Sequence, residues 1–194
     1  MISKLKALKW RLLPLVAAAL ILCIPFVNNY WSRHQINKAA RAAQTQLSQE
    51  PKIAKIQGTP TRILVPSLAI DLPVVSQSYS LVTKTWPVAP SEANYATETA
   101  LINNTKGQSL IYGHDNRSIF GPLLTMQPGT AVYVYTDHNH VFKYSFTGYK
   151  DVSPYQVNLV ADMAKAPVGL NLITCTGAYF QYRHLMSLKL VQAV

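Results

Sequence analysis

From Thr59 onward the chain alternates short apolar runs with proline, glycine and polar turns. The runs are rich in β-branched and aromatic residues, which favour strands, and two of them flank a polar turn in the manner of a β-hairpin. The predicted strands lie at residues 61–66, 70–75, 100–102, 109–112, 130–135, 141–149, 171–175 and 185–191. Residues 118–126 and 159–164 have helical patterns instead. About eight strands with only short helices predict an all-β barrel or sandwich.

The N-terminal part has a different pattern, an uncharged apolar run at residues 12–27 that follows a basic segment at residues 1–11. As a helix this run is a little shorter than the hydrocarbon core of a membrane, and aromatic residues on both sides suit the interfaces. A cleaved signal peptide is the alternative, but no small-residue cleavage site directly follows the run. We therefore expect an uncleaved transmembrane signal-anchor at residues 12–31. Basic residues before it predict a cytoplasmic N-terminus.

The next stretch, residues 32–58, begins with many Ala, Gln, Lys and Arg residues. This composition favours a helix or a loose stalk without a strong apolar face. We interpret it as a linker between the membrane and a β domain at residues 59–194.

The formal net charge of +10 is unevenly distributed along the chain. Residues 1–50 hold seven of the 18 Lys and Arg residues but only one of the eight acidic residues. Much of the positive charge therefore lies beside the apolar run, where it sets membrane orientation. The β domain has no run of basic residues, which argues against nucleic-acid binding.

Three residues at the ends of predicted strands carry candidate chemistry. A strand ends at Cys175, where Gly177 begins a turn, and this cysteine is the only one outside the apolar run, so it has no disulfide partner in the domain. His114 likewise follows a strand, and Arg183 begins the last one. Acyl transfer needs a thiolate to attack a carbonyl, an imidazolium to protonate the leaving amine and a cation to stabilise the oxyanion. Each residue alone has a more ordinary interpretation: a core cysteine, a turn histidine and a solvated arginine.

The other histidines are weaker candidates. His138 and His140 flank a hairpin turn with a metal-like spacing, but no cysteine or acidic pattern joins them, so a chance turn is favoured. His34 lies in the linker, and His184 should face away from Arg183 by strand alternation. The acidic residues are scattered without the pattern of a calcium loop. We therefore expect no metal site.

Taken together, these residues resemble the sortases, the membrane-anchored cysteine transpeptidases of bacterial cell surfaces. The resemblance extends from Thr61 to Val191 and is carried by Leu172-Ile173-Thr174-Cys175, by Gly113-His114 and by Arg183. It implies a closed eight-stranded sortase-like β-barrel with short helices, preceded here by the transmembrane helix. The residues after the cysteine are most similar to class E and class F sortases, and the family needs no organic cofactor.

The resemblance also implies roles for individual residues. Cys175 would be the nucleophile that attacks the Thr–Gly bond of an LPxTG-like sorting signal and forms a thioester. His114 would act as general acid and then general base, Arg183 would stabilise the oxyanion or position the substrate, and Thr174 would contact the substrate. The partners would be surface proteins with a C-terminal sorting signal and an amine acceptor, such as a peptidoglycan precursor or a pilin lysine.

These inferences predict a single-pass protein of the bacterial cell membrane with an extracellular catalytic domain. Two alternatives stay open at this point. A catalytically inactive extracytoplasmic binding module would have His114 and Cys175 far apart. A cysteine hydrolase would share the thiolate attack, but water would complete the reaction.

Overall fold

The computed structural model describes residues 28–48, 55–82, 85–154 and 159–194. The basic segment and the apolar run of the predicted anchor, residues 1–27, lie outside the described residues. Of the helices that are described, none is both long enough and apolar enough to cross a membrane.

Eight strands form a closed barrel, and a pair of two-residue strands lies beside it. In chain order the strands are β1 (Gln57–Gly58), β2 (Pro60–Val65), β3 (Ile70–Gln77), β4 (Ala93–Ala96), β5 (Ile102–Asn103), β6 (Gln108–Tyr112), β7 (Ala131–Thr136), β8 (Val141–Val152), β9 (Gly169–Thr176) and β10 (Tyr182–Ala193). The order around the barrel is β10-β8-β7-β2-β3-β4-β6-β9, and β10 also pairs with β9 to close it. The pairs β3–β4 and β6–β9 are parallel, and the other neighbours are antiparallel. The predicted closed eight-stranded barrel is confirmed.

One barrel strand differs from the sequence prediction. The predicted strand at residues 100–102 leads into β5, which pairs with β1 outside the barrel, and β4 occupies the barrel position instead. β4 was missed because Asn94 interrupts its apolar pattern. Asn94 is nevertheless fully buried, because its Oδ1 accepts a hydrogen bond from the Ala89 N–H at 2.9 Å and its Nδ2 donates to the Tyr112 carbonyl at 3.3 Å. A buried amide whose hydrogen bonds are made is compatible with a central strand.

Apolar side chains from all eight strands fill the barrel interior. In β9 and β10 these side chains are Leu170, Leu172, Met186 and Leu188. Successive side chains of a strand point to opposite faces, so Cys175 and Arg183 lie on the outer face of the same two strands. The barrel thus provides a rigid support whose interior is already filled.

A helix at residues 28–48, α1, packs against the outside of the barrel. Ile36, Ala43 and Leu47 are buried in a cluster with residues of β2, β7 and β8. The Gln192 side chain also donates a hydrogen bond to the Leu47 carbonyl. The stretch predicted as a linker without a strong apolar face therefore contains a helix whose narrow apolar face is buried on the barrel.

Of the two predicted short helices, the structure contains one, and the other is replaced by a shorter 3₁₀ turn. Helix α2, Leu159–Lys165, agrees with the helix predicted at residues 159–164. The stretch at residues 118–126 contains only a short 3₁₀ turn, Gly121–Thr125. The residues before this turn are held by hydrogen bonds to the loop that follows β6, so they do not extend it into a longer helix.

Candidate active site

Cys175 lies near the end of β9, where the strand reaches the edge of the barrel. Its neighbour Thr174 is buried, whereas Cys175 itself is partly exposed. Beyond the strand end, Gly177 has a φ of 90°, a conformation that glycine adopts without the strain another residue would meet. Cys175 is the only free cysteine in the described part of the chain. Its thiol is therefore held by a rigid strand and is accessible from outside the barrel.

The C-terminal end of β6 lies at the same edge of the barrel as Cys175, because β6 and β9 are parallel neighbours. The Gly113 N–H donates to the Ile173 carbonyl at 3.1 Å, and Thr174 Oγ1 donates to the Gly113 carbonyl at 3.0 Å. A Cβ on Gly113 would lie 2.9 Å from Ile119 Cγ2, so this close approach requires glycine. The sequence predicts a substrate contact for Thr174. Here its side chain is buried, and its hydroxyl holds the start of the His114 loop on β9.

His114 begins a loop that Asn116 organises. The Asn116 side-chain Oδ1 accepts a hydrogen bond from the Ile119 N–H at 2.9 Å, and its carbonyl accepts one from the Gly121 N–H at 2.9 Å. The His114 carbonyl accepts a further hydrogen bond from the Phe120 N–H at 3.1 Å. The backbone on both sides of His114 is thus fixed, while its imidazole is exposed.

His114 and Cys175 line one cleft, with a volume of about 460 Å³. The residues that line it are Pro90, His114, Asp115, Asn116, Cys175 and Phe180. A thiol and an imidazole that open onto one cleft are suited to the roles of nucleophile and general acid–base, and direct hydrogen bonding between them is not required before substrate binds. The structure therefore brings together two of the three predicted catalytic residues.

Arg183, the third, lies directly opposite Cys175 in the antiparallel β9–β10 pair. Residues paired in this way project from the same face of a sheet. Its guanidinium is turned to the loop between the strands, where Nη1 donates to the Phe180 carbonyl at 2.9 Å and to the Tyr182 carbonyl at 3.2 Å. Arg183 is not among the residues that line the cleft. It adjoins Cys175 along the sheet, and its guanidinium supports the loop that carries Phe180.

One wall of the cleft is formed by the segment between β3 and β4, which contains Pro90. Trp86 anchors this segment, since its Nε1 donates to Glu98 Oε2 at 2.9 Å and its ring packs against the Tyr112 ring with centroids 6.5 Å apart. The Tyr112 hydroxyl in turn donates to the Pro87 carbonyl at 2.7 Å. Trp86 and Tyr112 thus connect the cleft wall to β6, the strand that leads to His114.

The protonation states of this anchor are set by its surroundings. Burial disfavours the charge on Glu98, but hydrogen bonds from the Trp86 indole and the Tyr79 N–H outweigh it and lower the pKa of Glu98. Burial raises the pKa of Tyr112, and the charge of Glu98 raises it further. Glu98 therefore accepts hydrogen bonds as a carboxylate, and Tyr112 stays a donor. Glu98 cannot be recognised as a site residue in the sequence, because a single acidic residue remote from the motifs has no characteristic spacing.

The remaining histidines of the domain lie away from the cleft. His184 is buried, with Nδ1 2.7 Å from Asp151 Oδ1 and its ring 4.2 Å from the Tyr149 ring, which agrees with its predicted orientation away from Arg183. His138 and His140 lie at the predicted hairpin turn. The described residues contain no group of three or more His, Cys, Asp or Glu side chains that could hold a metal ion.

The closed barrel, with His114 and Cys175 at the ends of β6 and β9, indicates the class of protein. The family model of the sortase domain matches residues 63–191, more than half of the chain. The chain belongs to the sortase family, whose members are cysteine transpeptidases that act on peptide bonds.

Particular relatives support this assignment. The chain is similar to sortase A from Bacillus anthracis, with 26% identity over 121 residues that cover 59% of this chain and 50% of that protein. The chain therefore spans about half the length of this curated relative.

Solved structures of several sortases share the fold. Sortase E1 from Streptomyces coelicolor, solved with a tripeptide in the active site, has a TM-score of 0.57 and 21% identity, covering 71% of this chain and 90% of that one. Listeria monocytogenes sortase A has a TM-score of 0.54 and 22% identity, with the same coverage of 71% and 90%. Sortase C-1 from Actinomyces oris has a TM-score of 0.53 and 20% identity, covering 80% and 98%. The similarity to class E and class F stays a prediction.

Proposed function

We propose that this protein is a transpeptidase that cleaves an LPxTG-like sorting signal between Thr and Gly and transfers the acyl part to an amine. The observation that carries the proposal is the position of Cys175 and His114 on one cleft, at the ends of two parallel neighbouring strands. A peptide substrate is in keeping with the tripeptide in the active site of the Streptomyces coelicolor relative. The same geometry argues against an inactive binding module, which has no need of a thiol and an imidazole in one cleft.

In the first half-reaction, Cys175 Sγ attacks the carbonyl carbon of the threonine residue of the signal. The C–S bond forms, the C–N bond of the Thr–Gly peptide breaks, and the protonated His114 imidazole gives its proton to the leaving glycine amine. The products are a thioester on Cys175, a neutral His114 and a released peptide with a new N-terminus.

In the second half-reaction, a neutral primary amine attacks the thioester carbonyl. The new C–N bond forms as the C–S bond breaks, the amine nitrogen gives a proton to His114, and Cys175 leaves as a thiolate. The thiolate and the imidazolium are thereby restored for the next cycle. Water in place of the amine would give hydrolysis by the same steps.

Arg183 is the proposed cation for the oxyanion or for a substrate carbonyl. Its Nη1 now donates to two carbonyls of the β9–β10 loop, so a bound substrate would have to exchange one of these acceptors for its own. The exchange replaces one N–H···O bond by another, and the guanidinium has further N–H donors to contribute. Thr174 would act on the substrate through Gly113, whose position it fixes.

We further propose that residues 12–31 anchor the protein in the bacterial cell membrane as a single span. The basic residues before the span favour a cytoplasmic N-terminus, and residues 59–194 would then be extracellular. The substrates would be surface proteins with a C-terminal sorting signal. The acceptor would be an amine of a peptidoglycan precursor or of a pilin lysine.

The test uses the full chain in detergent micelles with a peptide that contains Leu-Pro-Ala-Thr-Gly. We expect the native protein to cleave the peptide after Thr and to gain the mass of the acyl group, and Cys175→Ala to lose about 10³-fold or more of this activity. Cys23→Ala, which removes the other cysteine of the chain, is the matched control and should retain both properties.

Three results would distinguish the candidate functions. Cleavage by Cys175→Ala at the native rate would end the proposal. Cleavage without a ligated product when an amine is added would identify a hydrolase. A folded native protein that forms no adduct with any sorting-signal peptide would favour the binding module.

A further inference from the structure

One carboxylate in the cleft has no role in the two half-reactions described above. Asp115 directly follows His114 and lines the same cleft as Cys175. The ion pairs among the described residues are Arg62–Asp71, His138–Asp137 and His184–Asp151, so Asp115 belongs to none of them. Its side chain is partly buried at the cleft. A carboxylate that forms no ion pair with the described residues therefore lines the cleft.

The position of Asp115 is fixed by the loop around it. Asn116 holds the loop through its hydrogen bonds to Ile119 and Gly121, so Asp115 lies between two residues with restrained backbones. A Cβ on Gly121 would come within 3.1 Å of Asp115 Oδ1, which means that the carboxylate lies against the Gly121 backbone. Asp115 is thus a pre-positioned group, and little ordering would be needed when a ligand reaches it.

The other groups that line the cleft do not duplicate this charge. Pro90 and Phe180 present apolar surface, and the Asn116 Oδ1 atom is occupied by the Ser118 and Ile119 N–H groups. Arg183, the cation nearest to Cys175 along the sheet, donates to loop carbonyls. A cation that enters the cleft therefore meets one fixed anionic group, Asp115.

We propose that Asp115 binds the ammonium form of the primary amine acceptor and holds it beside the thioester on Cys175. The inference rests on the proposed transpeptidase function and adds to it the recognition of the second substrate. An ammonium group is the form in which most primary amines arrive at neutral pH, and a carboxylate is its natural hydrogen-bond acceptor. The ammonium must release one proton to solvent before attack, after which the neutral amine reacts as described above.

A second role for a carboxylate at this point would be to support the charge of His114. The two roles differ in which steps need Asp115. Support of His114 would affect formation of the thioester and every route by which it is discharged. Binding of the acceptor would affect only discharge by a cationic amine.

The experiment compares native protein with Asp115→Asn, using the Leu-Pro-Ala-Thr-Gly peptide and three ways of discharging the thioester. Glycinamide is a mostly cationic amine at neutral pH, hydroxylamine is mostly neutral there, and water is the background. Asp162→Asn is the matched control, because it removes the same charge from an exposed position on α2. Mass spectrometry of the acyl-enzyme shows directly whether Asp115→Asn keeps a functional thiol.

We expect Asp115→Asn to form the acyl-enzyme at the native rate and to need about tenfold more glycinamide for half-maximal ligation. Its reactions with hydroxylamine and with water should be unchanged, and Asp162→Asn should behave like the native protein. An unchanged glycinamide requirement would overturn the inference, and so would an equal loss for all three nucleophiles. Absence of an acyl-enzyme in the native protein would instead refute the proposed function and this inference with it.

Discussion

Two surfaces of the barrel differ in whether the chain covers them. Where α1 lies on β2, β7 and β8, the chain covers the barrel with its own apolar side chains, among them Ile36 and Leu47. Where β6 and β9 end, the surface is left open and carries Cys175 and His114. The first surface is held by burial of apolar area and the second by hydrogen bonds of loops.

The comparison separates the surface that contributes most to the stability of the fold from the surface that carries the candidate catalytic residues. Removal of apolar surface from water is the main stabilising contribution, and it is largely indifferent to pH. The cleft, by contrast, depends on directed hydrogen bonds, including those of two charged side chains, Glu98 and Arg183. We therefore expect substitutions on the covered surface to change the free energy of unfolding, and substitutions at the cleft to change the rate.

The largest expected effect on the rate concerns Arg183. Arg183→Ala removes the guanidinium beside Cys175, and we expect kcat/KM for the sorting-signal peptide to fall about 10²- to 10³-fold, the range seen when one oxyanion donor is lost. The thermal midpoint should change little, since Arg183 is partly exposed and its partners are loop carbonyls. Arg183→Lys keeps the charge but not the planar fork of donors and should recover only part of the rate.

The measurement is a peptide-cleavage assay paired with a thermal melt of each variant. A variant without the guanidinium that keeps native kcat/KM would show that Arg183 only supports the loop through the Phe180 carbonyl.

Leu47→Ala tests the covered surface. Leu47 is 1% exposed, so its truncation should lower the free energy of unfolding by about 2–4 kcal/mol, depending on how far the site collapses. The rate per folded molecule should stay native, because Leu47 belongs to the cluster under α1 and not to the cleft. Lys38→Ala, an exposed change in the same helix, is the control and should have little effect on either quantity. Denaturant unfolding followed by the cleavage assay measures both. Native stability in Leu47→Ala would mean that α1 contributes little to the fold.

The covered surface also shows what sequence reasoning missed. Its apolar stripe combines Ile36 and Leu47 with Ala39, Ala40 and Ala43, and alanines give little hydrophobic contrast. The periodicity of α1 was therefore too weak to predict burial, although the helix-favouring composition was recognised. Tertiary packing decided the outcome here, as it commonly does for helices of low amphipathicity.

The cleft shows the opposite case. Cys175 and His114 were recognised because glycine turns mark the ends of apolar strands, and this local pattern is visible in a single sequence. That β6 and β9 are parallel neighbours is a long-range property, which the strands themselves do not predict and which the structure shows. Asp115 and Glu98 were not identified, since their importance depends on which loops the fold brings beside them.

The smallest expected effect concerns Glu98, which connects the cleft wall to the barrel. Its folded-state pKa lies below its ordinary value of 4.5, so the stabilisation it provides is present above that pH and is lost as the pH falls through the folded-state pKa. Glu98 is exposed, so Glu98→Gln should cost less than about 1 kcal/mol at neutral pH. The difference in thermal midpoint between native protein and Glu98→Gln should shrink as the pH is lowered below 4.5. A difference that stays constant down to pH 3 would mean that packing of Trp86 against Tyr112, and not the Glu98 carboxylate, holds this wall.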